Sequence, residues 1–221
     1  IMAISKFNYN SFNVTPVAGN ALSFNSDADG FTTQSSSSMI LIKTLTASSS
    51  ATLSFLNGSD GVVLDDTYPV YQFEFINIHP ANNDVTFRFQ GDTGTNTNYN
   101  QTITNTFFGA SHKEDNSAAS LAYQTGSDQA QGTGFARLSA GIKNDNDASF
   151  NGILTIFSPS SGTFVKHFIS RGTSYESGDQ PFDDFSAGYF NTTTALTRFQ
   201  FKMSGGNIDS GKIKLYGIAD S

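Results

Sequence analysis

The 221-residue chain has no cysteine, no tryptophan and only three histidines, and charged residues make up 14% of it. Without cysteine it can form neither disulfides nor thiolate metal sites. His79, His112 and His167 are not spaced i, i+2 or i, i+4, so the pattern holds no zinc or iron ligand pair. Glutamate is nearly as scarce: Glu74 lies on a strand pattern, Glu114 and Glu176 in polar runs, and no carboxylate pair suggests a glycosidase. A Gly-x-Ser-x-Gly nucleophile elbow and a phosphate-cradling glycine loop are missing too. No apolar run is long enough to span a bilayer, and no charged-then-apolar leader pattern opens the sequence. A net charge of −7 opposes nucleic-acid binding, which needs clustered Lys and Arg. The expectation is a protein that is not an enzyme, binds no nucleic acid and does not insert into a membrane.

What the chain does have is phenylalanine, 21 residues of it, with 20 glycines and many Ser, Thr and Asn. Phe must therefore supply much of the core volume. The apolar residues recur with period two, the signature of strands with one dry face. No stretch sustains a 3.6-residue stripe, so little helix is expected.

Strand patterns fall at 39–46, 51–56, 68–78, 85–90, 99–108, 135–142, 150–157, 163–169 and 185–191, with 118–123 either strand or short helix. The run at 39–46 is continuously apolar and suggests a buried strand. Tyr71, Phe73 and Phe75 alternate with Gln72 and Glu74, and Val85, Phe87 and Phe89 repeat the pattern, which suggests a long hairpin of paired aromatics. A second hairpin is expected around Ser158-Pro-Ser-Ser-Gly162, and alternation groups His167 with Val165 and Ile169 as partly buried. At the end, Phe199, Phe201 and Met203, then Ile213 and Leu215, flank the turn-rich 204–211 and imply a closing hairpin. Its wet face carries Arg198, Lys202, Lys212 and Lys214, candidates for docking an acidic neighbour.

Many short strands separated by turns imply an all-β antiparallel sandwich, jelly-roll-like because immunoglobulin-like domains run only to about 100 residues. Residues 1–35 form an irregular N-terminal arm or edge segment, and 36–221 the β-sandwich domain. Phe7, Tyr9 and Phe12 of the arm are further docking candidates. The polar stretches 91–100 and 171–184 suggest loops that could present Tyr99, Tyr175 and Phe182 to a sugar. Asp27-Ala-Asp-Gly30 and Asn144-Asp-Asn-Asp147 offer oxygen ligands of the kind a structural calcium takes, though neither is a full EF-hand loop. No other cofactor is expected.

Four ordered segments carry a family resemblance. They are Tyr71-Gln-Phe-Glu-Phe-Ile-Asn-Ile-His-Pro80, Phe157-Ser-Pro-Ser-Ser-Gly-Thr-Phe-Val-Lys-His-Phe-Ile169, Gly188-Tyr-Phe-Asn-Thr192 and Phe199-Gln-Phe-Lys-Met-Ser-Gly-Gly-Asn-Ile-Asp-Ser-Gly-Lys-Ile-Lys-Leu-Tyr-Gly217. Together they resemble uncharacterised β-rich proteins of marine tailed bacteriophages, cyanophages included, over roughly residues 22 to 218. The resemblance implies a virion-surface structural subunit: capsid decoration, head fibre or tail-associated protein. Its expected partners are other virion proteins and copies of itself. The alternative is a receptor-binding tip that recognises a host surface glycan.

Overall fold

The computed structural model describes residues 20–25, 27, 30–35 and 38–220. They fall into two compact units that divide between Ser38 and Met39. In the first, β1 (Asn20–Phe24) and β2 (Phe31–Ser35) make an antiparallel two-stranded sheet of their own. Phe24 lies opposite Phe31 with the rings stacked at 5.1 Å, and Asn25 N–H donates to Gly30 O to close the connection. The expected docking residues Phe7, Tyr9 and Phe12 lie outside the described residues.

The second unit starts with β3 (Met39–Ser50), β4 (Leu53–Leu56), β5 (Val70–Pro80), β6 (Phe87–Thr93), β7 (Ile103–His112), β8 (Ala119–Tyr123) and β9 (Gln129–Gly132). It continues with β10 (Ala136–Arg137), β11 (Phe150–Phe157), β12 (Lys166–Glu176), β13 (Gln180–Phe190), β14 (Leu196–Met203) and β15 (Ile208–Ile218). Two antiparallel sheets result. The small one has the order β10-β6-β14-β4; the large one runs β3-β15-β5-β11-β12-β13-β7-β8, with β9 also paired to β7.

Eight of these strands form a complete jelly roll. In chain order they are β3, β4, β5, β6, β10, β11, β14 and β15. The first pairs with the last, the second with the seventh, the third with the sixth and the fourth with the fifth. The β15–β5 and β14–β6 ladders then join these pairs into two four-stranded sheets, which is the double Greek key. The remaining strands are insertions. β7 to β9 leave between β6 and β10, β12 and β13 leave between β11 and β14, and together they extend the large sheet sideways as a wing.

Period-two alternation supplies the core. Tyr71, Phe73 and Phe75 of β5 point inward from the large sheet and meet Phe87, Phe89, Phe199 and Phe201 of the small one, all essentially buried. The ring of Phe201 lies 5.0 Å from Phe73, 5.4 Å from Phe75 and 6.2 Å from Phe55, mostly edge to face. Each such pair adds about 0.5–1.5 kcal/mol beyond area burial. Asn77 adopts a left-handed backbone (φ 50°) and inserts one residue into the alternation, so that Ile78 returns to the core. The 57–61 turn needs its glycines: Gly58 and Gly61 both sit at φ 78°, a region costly for residues with a Cβ.

Several expected elements are placed differently. β14 and β15 are not a hairpin, because the turn between them carries the chain from the small sheet to the large one. β5 and β6 likewise lie in opposite sheets, and their aromatics meet face to face across the core, Phe75 to Phe87 at 5.2 Å. The apolar β3 is an edge strand with Met39 and Leu41 exposed. Residues 171–184 are not a loop; they belong to the β12–β13 hairpin, which turns only between Glu176 and Gln180. The hairpin of β11 and β12 is present as expected, with Ile156 opposite Phe168.

Candidate functional site

The inner face of the wing mixes buried polar groups with buried apolar ones, and its outer face leaves several apolar residues exposed. Inward from β12, β13 and β7 point Ser170, Ser174, Asp184, Ser186 and Asn105, all buried. The chain between β10 and β11 crosses beneath them. Ala140 N–H donates to the Asp184 carboxylate, Ser174 Oγ donates to its second oxygen at 2.8 Å, and Ile142 bridges both Val85 and Glu176. Burial pushes the Asp184 carboxyl up to about 8 despite these two donors, because the charged form has lost its water. These polar groups lie between the main core, which reaches Phe168 and Phe190, and a small cluster of Phe107, Ala140 and Phe182.

The outer face also carries apolar residues, and these are exposed or half-buried. One cross-strand row runs Ile153 (β11), Arg171 (β12), Phe185 (β13), Phe108 (β7) and Tyr123 (β8). Phe108 and Phe185 stack at 4.8 Å. Around them lie Phe157, Ile169 and Leu121, the last 76% exposed. His167 belongs to this face too, 5.9 Å from the Tyr189 ring, and is exposed rather than partly buried. The inward neighbours on its strand are Lys166 and Phe168, so the alternation grouped the right residues and pointed them the wrong way. Lys166 is buried with Nζ donating to Phe164 O at 2.6 Å and Thr192 O at 3.3 Å, and burial depresses its pKa.

Charge on the outer face is balanced. Arg171 grips Asp183 with two hydrogen bonds of 3.0 and 2.8 Å, and Lys214 lies 3.6 Å from Glu74, which also accepts from the Tyr216 hydroxyl. In a chain of net charge −7 this is a locally neutral, aromatic surface.

The four cations expected on one wet face are divided between the sheets. Arg198 and Lys202 lie on β14 of the small sheet, Lys212 and Lys214 on β15 of the large one, so they do not form one docking surface. Arg198 donates to Gly94 O at 2.7 Å. The sugar-stacking candidates do not converge either. Tyr99 is buried, its backbone N–H donating to Asp92 Oδ2 at 2.7 Å, and Phe182 is buried with Phe107 and Ala140. Only Tyr175 remains partly open, its hydroxyl at 3.3 Å from Asp179 and its ring 5.5 Å from Lys143 Nζ. Of the carboxylates considered for calcium, Asp145 lies 3.4 Å from Lys143 Nζ, and no group of three His, Asp or Glu is gathered to hold a metal among the described residues.

Phe108, Phe185, Ile169 and Leu121 were not singled out from the sequence. Their only signal was that both alternating sets of the wing strands contain apolar residues. Comparison with known protein families, curated proteins and solved structures finds no match for this chain.

Proposed function

We propose that this jelly roll is a structural subunit of a tailed-phage virion surface, assembled with copies of itself through the outer face of the wing. The observation that carries the reading is the group of exposed apolar residues Ile153, Phe108, Tyr123 and Ile169, with the half-buried Phe185, on the outer face of the wing around the Arg171–Asp183 pair. Large exposed apolar patches mark surfaces that are covered in the working assembly. The segment resemblance set out above supports the virion setting.

A second copy is the occupant that the surface chemistry favours. An isologous interface must be complementary to itself, and here Arg171 and Asp183 supply both signs within one patch. Five strands at about 4.8 Å spacing and ~8 residues of length give roughly 600 Å² of flat sheet. Side-chain relief brings that towards the ~800 Å² per partner of a standard interface. A glycan-binding tip is less well supported, because Tyr99 and Phe182 are packed away.

Two experiments test the reading. A virion reconstruction should place density for this fold on capsid or tail with the wing at a subunit contact; a virion without the protein would refute the setting. Light scattering on the purified chain should give a defined oligomer. A monomer at high micromolar concentration would remove the self-assembly.

A further inference from the structure

The outer face of the small sheet carries a second feature, where it meets the β8–β9 connection of the wing. Arg88 of β6 lies opposite Arg137 of β10 on one side and opposite Lys202 of β14 on the other. Three cations thus stand in one cross-strand row. Like charges directly opposite each other destabilise a sheet. With 19 Asp and Glu in the sequence against 12 Lys and Arg, pairing them would have been easy, yet none of the three makes an ion pair among the described residues.

Arg88 and Arg137 form the floor of a cleft of about 180 Å³ walled by Gly126, Ser127, Gln129 and Phe135; Lys202 does not line it. The side chains are held in place. Arg137 Nε donates to Ser139 O at 2.6 Å and its Nη1 to Ser127 Oγ at 2.8 Å, with the guanidinium 5.4 Å from the Phe107 ring centroid. Arg88 Nε donates to Thr86 Oγ1 at 2.7 Å, and neither of its terminal nitrogens has an acceptor among the described residues. Lys202 Nζ rests 4.4 Å from the centroid of Phe135. The far wall is pinned by Gln90, whose Nε2 donates to Thr133 O and Gly134 O. One carboxylate, Asp128, lies at the rim and accepts from the Tyr123 hydroxyl at 2.6 Å.

From this arrangement we propose that the cleft binds a single oxyanion group, carboxylate or sulfate, between Arg88 and Arg137. Guanidinium forks match planar and tetrahedral oxyanions with paired hydrogen bonds. An anion seated there would relieve the repulsion along the row and give the free Arg88 donors acceptors. The cleft is smaller than the ~300 Å³ at which drug-sized sites begin, which suits one charged group with at most one small ring attached. Two sources carry that chemistry: a free inorganic anion, or an acidic sugar.

The test is calorimetric titration of the full chain with sulfate, glucuronate and glucose at constant ionic strength, because screening alone weakens surface charge effects. Saturable binding of sulfate or glucuronate, with none of glucose, is expected. Arg88→Gln and Arg137→Gln should each weaken it roughly tenfold, the factor carried by one charge-assisted hydrogen bond. Lys212→Gln, an exposed change on the other sheet, should leave it unchanged. Glucuronate bound more tightly than sulfate supports the site with an acidic sugar as its source; sulfate bound as tightly or better supports it with an inorganic anion. No saturable binding by the native chain, or affinity unaltered in both Arg88→Gln and Arg137→Gln, overturns the proposal.

Discussion

Phe201 of the small sheet and Phe73 of the large one meet edge to face, ring centroids 5.0 Å apart, at the centre of the sandwich. Phe201 also reaches Phe55, Phe75, Phe87 and Phe89, so one side chain ties five others together. Phe201→Ala should cost about 3–5 kcal/mol of stability, the range for emptying a buried aromatic site. Urea denaturation monitored by circular dichroism measures this, and a loss below 1 kcal/mol would mean that the aromatic cluster does not hold the sheets together.

Where the large sheet passes from jelly roll to wing, Gly152 of β11 lies opposite Gly172 of β12, and the ring of Phe150 packs over Gly172. A Cβ at Gly172 would fall 2.3 Å from that ring and 2.8 Å from Asn151 O. Gly172→Ala should destabilise by about 1–3 kcal/mol through overpacking. The double change Gly172→Ala, Phe150→Leu should recover part of this loss in the same denaturation assay.

Asp184 makes stability depend on pH. Its folded pKa, about 8, lies above the ordinary aspartate value of 3.8, so between those limits the folded chain binds a proton that the unfolded chain has released. Stability should therefore fall as pH rises from about 4 to about 8 and level off above that. Asp184→Asn should flatten the slope while preserving the fold at pH 5. Thermal melts of both proteins across this range check it, and identical slopes would show that Asp184 is charged throughout.

If the wing is a self-association surface, Phe108→Lys and Ile169→Lys should lower the oligomeric state with little change in melting temperature. Both side chains already face solvent, Ile169 at 45% exposure. Sedimentation velocity distinguishes the outcomes. An unaltered oligomer in both variants would place its interface elsewhere on the protein.

Alternation was the legible part of the fold. Phe73 and Phe75, Phe87 and Phe89, and Phe199 and Phe201 were each identified as the dry side of a strand, and each is buried. Alternation reports the two faces of a strand but says nothing about which strand lies beside it. The 204–211 turn run therefore suggested a hairpin, when a jelly roll uses the same residues to cross between sheets. Where both faces of a strand contain apolar residues the pattern also loses its sign. In β12 the apparently dry set, Val165, His167 and Ile169, faces outward, and Lys166 faces in beside Phe168.

By itself, then, the sequence determined an all-β chain with a phenylalanine core, since period two and residue volume are local properties. Tertiary structure decided which wet faces share a surface. Lys202 and Arg88 are 114 positions apart; alternation grouped Lys202 with Arg198, Lys212 and Lys214 and did not link it to Arg88. Only the β14–β6 register makes them neighbours, while the same fold sends Lys212 and Lys214 to the opposite sheet. The closing hairpin that the alternation suggested thus becomes two strands on two surfaces, because pairing depends on long-range register that no local pattern encodes.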